Sequence, residues 1–330
     1  MTASRWRVAA GSAVVLSVAL VLAAARDAGL RYGRAFAERA AWTTAAYLTV
    51  VTPARPRDPG AYDLAGLLVQ GRALATLPGF TPGVEVYGGT APLIRAFGAP
   101  LDPSDFAALA DSGVARWIAG AALVPLRDRT DSVVGAVAVP GKAPWRLADG
   151  FLLVAALAAL VLGLRAIRAI ARVDRDRIRR LVLDAGAAGL LFAAVAALDI
   201  RGAGADATDR WLADTRLLLV EAAARAPRGL SADRIARITR GAVAAPGDSS
   251  SLAPRRRRIH GEVLATAAVR LGPGRWITLA TAPLERTAGD AVLIGFTLAC
   301  VGPLVLAFAA WRALPLYQPR ARRPSGPWGY

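Results

Sequence analysis

Apolar residues gather in four blocks along this chain, separated by stretches of mixed, water-compatible sequence. The first block, Val8 to Ala25, carries no charge, and the second runs from Phe151 to Leu164. The third spans about Leu181 to Leu198 with Asp184 near one end. The fourth, Ala291 to Trp311, contains Pro303, which predicts a kink. A bilayer core needs roughly 20 apolar residues in a helix. All four blocks are therefore read as transmembrane helices, the second completed by snorkelling of Arg165 and Arg168.

Between the blocks the pattern changes. From Arg26 to Val51, residues Leu30, Phe36, Ala40, Tyr47 and Val51 recur at near-helical spacing, so the first membrane helix is expected to continue outward. The proline-rich run Thr52 to Gly60 ends it, and a second helix is expected over Tyr62 to Thr76. Strand alternation follows in Gly83 to Tyr87, and the Gly88-Gly89 turn leads into Ala91 to Ala96. Asp102 as N-cap and Pro103 at the first helical position mark a short helix to Ala110. Strands Ala115 to Leu126 and Val133 to Val139 come next, joined by the polar turn Arg127 to Asp131. The later stretch predicts helices over Asp206 to Ala226 and Ser231 to Gly241, then a polar loop through Pro254. A hairpin, Ile259 to Leu271 with Arg275 to Ala282, turns at Gly272-Pro273-Gly274.

Charge decides the orientation. The net charge is +17, and Lys142 is the only lysine, so nearly all of it is arginine. Seven arginines from Arg165 to Arg180 crowd the short connector between the second and third blocks. Arg5 and Arg7 precede the first block, and Arg312, Arg320, Arg322 and Arg323 follow the fourth. With four crossings these sets share one side, the cytoplasm, by the positive-inside rule. The expected fold is thus an α+β membrane protein of the bacterial inner membrane, multi-pass, with both termini cytoplasmic. Its segments are helix 1–25, extracytoplasmic domain 26–148, helix 149–170, basic connector 171–180 and helix 181–198. A second extracytoplasmic domain 199–290, helix 291–314 and tail 315–330 complete it, the second domain being a reduced helices-plus-hairpin version of the first. Ala23-Ala24-Ala25 fits a signal-peptidase site, but the charged helical continuation from Arg26 favours an anchor.

The chemistry is sparse. Cys300 and His260 are single residues, which leaves no intramolecular disulfide and no multi-histidine metal site. Paired carboxylates, a Ser/His/Asp set and a phosphate loop are all missing, so neither enzyme activity nor a cofactor or metal is expected. Asp184 lies about one turn from Arg180, and an interfacial ion pair accounts for it. Arg255 to Arg258 is the densest positive run: an anionic headgroup, an acidic partner surface or a solvated loop all suit it. No nucleic-acid-binding module accompanies the charge, and membrane lipids are the expected partner of the apolar blocks.

Gly83-Val84-Glu85-Val86-Tyr87, Leu123-Val124-Pro125-Leu126-Arg127-Asp128 and Val133-Val134-Gly135-Ala136-Val137-Ala138-Val139, in this helix-and-strand order, carry a resemblance. Over residues 26–148 the chain resembles the Cache and PAS-like extracytoplasmic sensor domains of bacterial membrane signalling proteins. The resemblance implies an antiparallel sheet with helices that cups a small-molecule ligand. Tyr87, Arg95, Arg116, Trp117 and Asp128, on or beside the expected strands, are the candidate contacts. The plain alternative is that Tyr87 and Trp117 fill core and the charges face water. Sensor kinases of this layout carry cytoplasmic output domains, whereas only a short tail follows the fourth block here, so output is expected from another membrane or signalling protein. His260-Gly261-Glu262 superficially resembles a phospho-accepting histidine, but it falls in an expected strand outside the membrane. The competing reading is a structural or assembly subunit of a larger membrane complex, its ectodomains serving as docking surfaces.

The topology is open to direct measurement. Alkaline phosphatase fused after Asp128 or after Gly272 is expected to be active, and fused within the connector at Asp176 to be inactive. Activity at the connector would reverse the orientation.

Overall fold

The computed structural model describes residues 3–55, 58–80, 83–94, 101–128, 130–141, 147–170, 175–225, 230–240, 242–246, 254–259 and 261–284. The chain is α+β. A helix α1 (Ala3–Val51) is followed by a ribbon of β1 (Ala54–Arg55) and β2 (Asp58–Tyr62), then α2 (Leu64–Ala75). Strands β3 (Glu85–Gly88) and β4 (Ala91–Ile94), helix α3 (Pro103–Ser112) and strands β5 (Arg116–Ile118), β6 (Ala121–Arg127) and β7 (Val133–Pro140) come next. Helices α4 (Leu147–Ile170), α5 (Arg175–Arg225) and α6 (Ala232–Ile238) lead to β8 (Val243–Pro246), β9 (Arg255–Ile259), β10 (Glu262–Gly272) and β11 (Arg275–Thr281).

Two compact units result. One comprises residues 1–27, 145–200 and 290–330, the other Ala28–Pro144 with Arg201–Gly289. Among the described residues, three helices are long and apolar enough to cross a membrane: Ala10–Val51, Asp149–Arg168 and Leu183–Arg225. Phe151, Val154, Leu157, Leu190 and Leu191 leave large apolar side chains exposed along the first unit, the surface expected of lipid-facing helices. α1 and α4 approach closely there, since a Cβ on Gly163 would meet Val14 Cγ1 at 2.8 Å. The fourth apolar block, with Cys300, lies outside the described residues.

In the second unit, buried residues of α1 recur three or four apart through Ala37, Ala40, Thr44, Tyr47 and Leu48. Those of α5 recur likewise through Ala207, Trp211, Thr215, Leu218 and Ala222. These are seam positions of two packed helices. Contacts advance together along both: Arg210 stacks over Phe36, Trp211 Nε1 donates to Thr43 Oγ1 at 3.1 Å, and Tyr47 lies within electrostatic reach of Glu221 and Arg225. The helices therefore run parallel. Thr43, Thr208 and Thr215 donate to carbonyls four residues back in their own helices, which satisfies these three hydroxyls where they enter the seam.

Each helix carries an antiparallel sheet. The first is ordered β4-β3-β7-β6-β5 and the second β8-β11-β10-β9. Setting β4 aside, the two orders are the same path through space, with β3, β5, β6 and β7 matched by β8, β9, β10 and β11. The edge strand of each sheet grips its own helix, Trp117 of β5 under Arg34 of α1 at 5.2 Å, and Arg256 of β9 on Asp209 of α5 at 2.5 Å. The second sheet is therefore more than a hairpin. Its stretch Val243–Pro246, expected as loop, pairs with β11, and Arg255 to Arg258 is strand rather than loop. Ala115 to Leu126, expected as one strand, is two: Ala119 and Gly120 turn at φ 49° and 81°, and the chain folds back on itself. The third apolar block and the helix expected at Asp206 are continuous within α5.

Two substitutions separate the seam's contacts. Trp211→Phe removes a donor from a paired group and is expected to lower stability by about 1 kcal/mol. Tyr47→Phe removes a hydroxyl that is buried with no hydrogen-bond partner among the described residues, so stability should hold or rise. Denaturant melts of the detergent-solubilised protein measure both.

Candidate functional site

Cross-strand register assigns the faces of the first sheet. Glu85 pairs with Ala138, Ala138 with Leu123, and Leu123 with Arg116, so these four side chains share one face. Tyr87, opposite Ala136 and through it Pro125, lies on the same face. Helix α3 covers this face: Leu109 and the preceding Leu101 are buried with Tyr87, Ala121, Leu123, Ala136 and Ala138, and Phe106 and Ile118 pack against them. The helix starts where the sequence places it. Asp102 accepts from the Ser104 amide at 2.8 Å and the Ser104 hydroxyl at 2.6 Å, which holds its carboxyl below the usual carboxylate range.

Within this apolar layer sits a carboxylate. Glu85 is 2% exposed, and Tyr87 donates its phenolic O–H to Glu85 Oε2 at 2.5 Å. Burying an ionised carboxylate is expensive without hydrogen-bond donors, and the i, i+2 spacing of a strand puts the donor on the same side. Gly135 of β7 lets the β3 backbone pair closely with β7, because a Cβ there would run into the Tyr87 carbonyl oxygen. Glu85 was not among the residues singled out from the sequence. Its signal was present: an acid and a tyrosine two apart in an alternating strand face the same way.

The five candidate contacts are divided by the structure. Tyr87 is core on the α3 face, and Arg116 sits exposed at the edge of that same face. Trp117 points to the opposite face with Ala122 and Val139, where it meets Arg34 and lies against Gly141. Asp128 organises the β6–β7 turn, its Oδ1 accepting from the amides of Thr130 and Ser132 at 2.9 and 3.0 Å. Arg95 lies outside the described residues, as does His260. Glu85, Tyr87 and Arg116 thus share a face, while Trp117 and Asp128 serve the helix contact and the turn. Among the described residues, no group of three or more His, Cys, Asp or Glu side chains could hold a metal ion.

No family model, curated protein or solved structure matches this chain.

Tyr87→Phe takes a donor from a buried carboxylate and is expected to cost about 1.5–3 kcal/mol. Adding Glu85→Leu should recover part of that loss, because the polar group needing a donor is gone. A double-mutant cycle on thermal or denaturant unfolding reads the coupling. Strict additivity would mean that the two side chains do not act as a pair.

Proposed function

We propose that this protein is a non-enzymatic, Cache/PAS-like sensor of the bacterial inner membrane, multi-pass with both termini cytoplasmic. The observation that carries the reading is the helix pair. α1 and α5 each run unbroken from an apolar stretch into the parallel pair on which the two sheets are mounted. A shift of one helix against the other, driven from a sheet, has a covalent route into the apolar stretches. The element order from α1 to β7 supports the reading too, with its long helix, two strands, short helix and closing strands that lead into α4. The ligand is a small molecule taken at the first sheet, where Arg116 is the exposed polar group at the edge of the face that holds Glu85 and Tyr87. The signal is passed to another membrane or signalling protein.

A second reading draws on a different observation. Leu101, Leu109 and Phe106 pack over Tyr87, and a filled core is what a structural or assembly subunit with docking ectodomains would have.

Capture of the C-terminally tagged protein from native membranes in mild detergent, analysed by mass spectrometry, separates the two. A kinase, cyclase or chemotaxis component in stoichiometric amount is the outcome expected of a sensor. A stable multi-subunit energy or transport complex would sink the sensor and establish the subunit.

A further inference from the structure

The exposed stripe of α1 continues past its apolar block. Leu16, Leu20, Ala23, Asp27, Leu30 and Arg34 follow one another at spacings of three or four residues, and all six are exposed, so they lie in one line along the helix. Leu16 and Leu20, 60% and 53% exposed, belong to the lipid-facing surface of the first unit. Arg34 stands at the far end of that line. α1 is unbroken from Ala3 to Val51, so Arg34 lies nine residues, or about 13 Å, beyond Ala25, where the apolar block ends. Helical side chains lean back over the turn on their N-terminal side, which brings the guanidinium to about 8 Å from the block. Headgroups fill a layer about 5–8 Å deep on each side of the hydrocarbon core.

At that height Arg34 and Trp117 have donors to spare. The guanidinium lies over the Trp117 ring at 5.2 Å, and no hydrogen bond or ion pair engages it among the described residues. Trp117 Nε1 donates to no described residue either, and the side chain stays 38% exposed on β5, the edge strand of the first sheet. A clamp between strand and helix needs the face of the ring alone. A second tie fixes the ring's place. It lies against Gly141, whose amide donates to the Gly120 carbonyl at 3.0 Å, and α4 begins six residues further on, at Leu147. Trp117 is thus held on one side by the exposed stripe of α1 and on the other by the strand end that leads into α4.

We infer that Arg34 and Trp117 form a headgroup-binding site through which the first sheet rests on the phospholipid surface. The guanidinium donates to the lipid phosphate, for which its planar fork is suited. The indole, apolar in body and polar at Nε1, takes the position at the membrane–water boundary that its amphipathic ring favours. Leu30, 47% exposed and one turn nearer the apolar block, faces the upper acyl region. The occupant is lipid rather than a soluble partner or a second copy, because the site continues a surface that already faces lipid. The inference needs only that α1 spans a membrane, and it stands whether the protein senses a ligand or assembles a complex.

Tryptophan quenching on the full-length protein in phosphatidylcholine nanodiscs tests it. Wild type and Trp117→Phe are compared with and without phosphatidylcholine that carries a nitroxide on its headgroup. The other tryptophans cancel, and the difference between the two proteins reports Trp117. That difference is expected to lose most of its intensity to the nitroxide. Phenylalanine keeps a ring under Arg34, so the fold is retained, and far-UV circular dichroism checks this. Arg34→Gln with Trp117 in place should reduce the loss, because the contact that holds the ring at the phosphate is gone. Quenching of the difference by soluble acrylamide but not by the headgroup nitroxide would put Trp117 in open water and overturn the proposal. Quenching by neither would mean that protein covers the ring, a second copy included, and would overturn it equally.

Discussion

The α1–α5 seam is the constraint from which the rest of the sheet-bearing unit takes its place. Two parallel helices can slide by a turn and still bury apolar side chains, so something must fix their register. Trp211 does this: it is fully buried, its ring lies under Arg39 at 5.4 Å, and its Nε1 reaches Thr43 across the seam. Moving either helix by one turn would strand that donor in the interior, at a cost of about 1–3 kcal/mol. Small seam residues such as Ala37, Ala41 and Ala207 supply closeness, but they would fit several registers equally well. The same helix then locates the second sheet. Arg39 also reaches Thr281 Oγ1 at 3.4 Å, and Arg240 beyond α6 stacks on Trp42 at 4.2 Å.

Around that seam one plan is used twice and filled differently. Both copies place a long helix, a shorter helix and then strands in one antiparallel path, and both tie the edge strand back to the helix. The first tie is a tryptophan under an arginine, the second an arginine on an aspartate. Two chemistries at one position in the plan mean that the contact, rather than the residue pair, is what the architecture requires. Among the described residues the copies differ where the first adds β4 beside β3 and α3 over the sheet face.

The pattern of periods made much of this legible and failed in specific places. Helical spacing from Arg26 to Val51 and the Asp102-Pro103 start of α3 were readable because each depends on local sequence alone. β8 was not, since Val243–Pro246 is short, ends in proline and becomes a strand only by pairing with β11. β9 was hidden for a related reason: arginines carry no apolar alternation, and the strand exists because β10 offers it a register. The β5–β6 turn was missed because alternation runs through Ala119 and Gly120 without an obvious breaker. Tyr87 and Trp117 were grouped at one mouth, yet strand parity sends them to opposite faces, and parity needs the register that sequence alone does not supply.

Glu85 is the residue that packing explains least. Its neighbours Val84 and Val86 are buried on the other face of β3, and Ala136 and Ala138 line its own. An apolar side chain of similar volume at that position would satisfy the layer without any hydrogen bond, and such replacements are often neutral or stabilising in protein interiors. The equivalent strand of the second sheet, Val243-Ala244-Ala245-Pro246, has no carboxylate. Since the two sheets share a strand path, the path does not demand the acid. The acid occurs in the copy whose sheet face is covered by α3, where the Tyr87 hydroxyl gives it a donor inside the apolar layer.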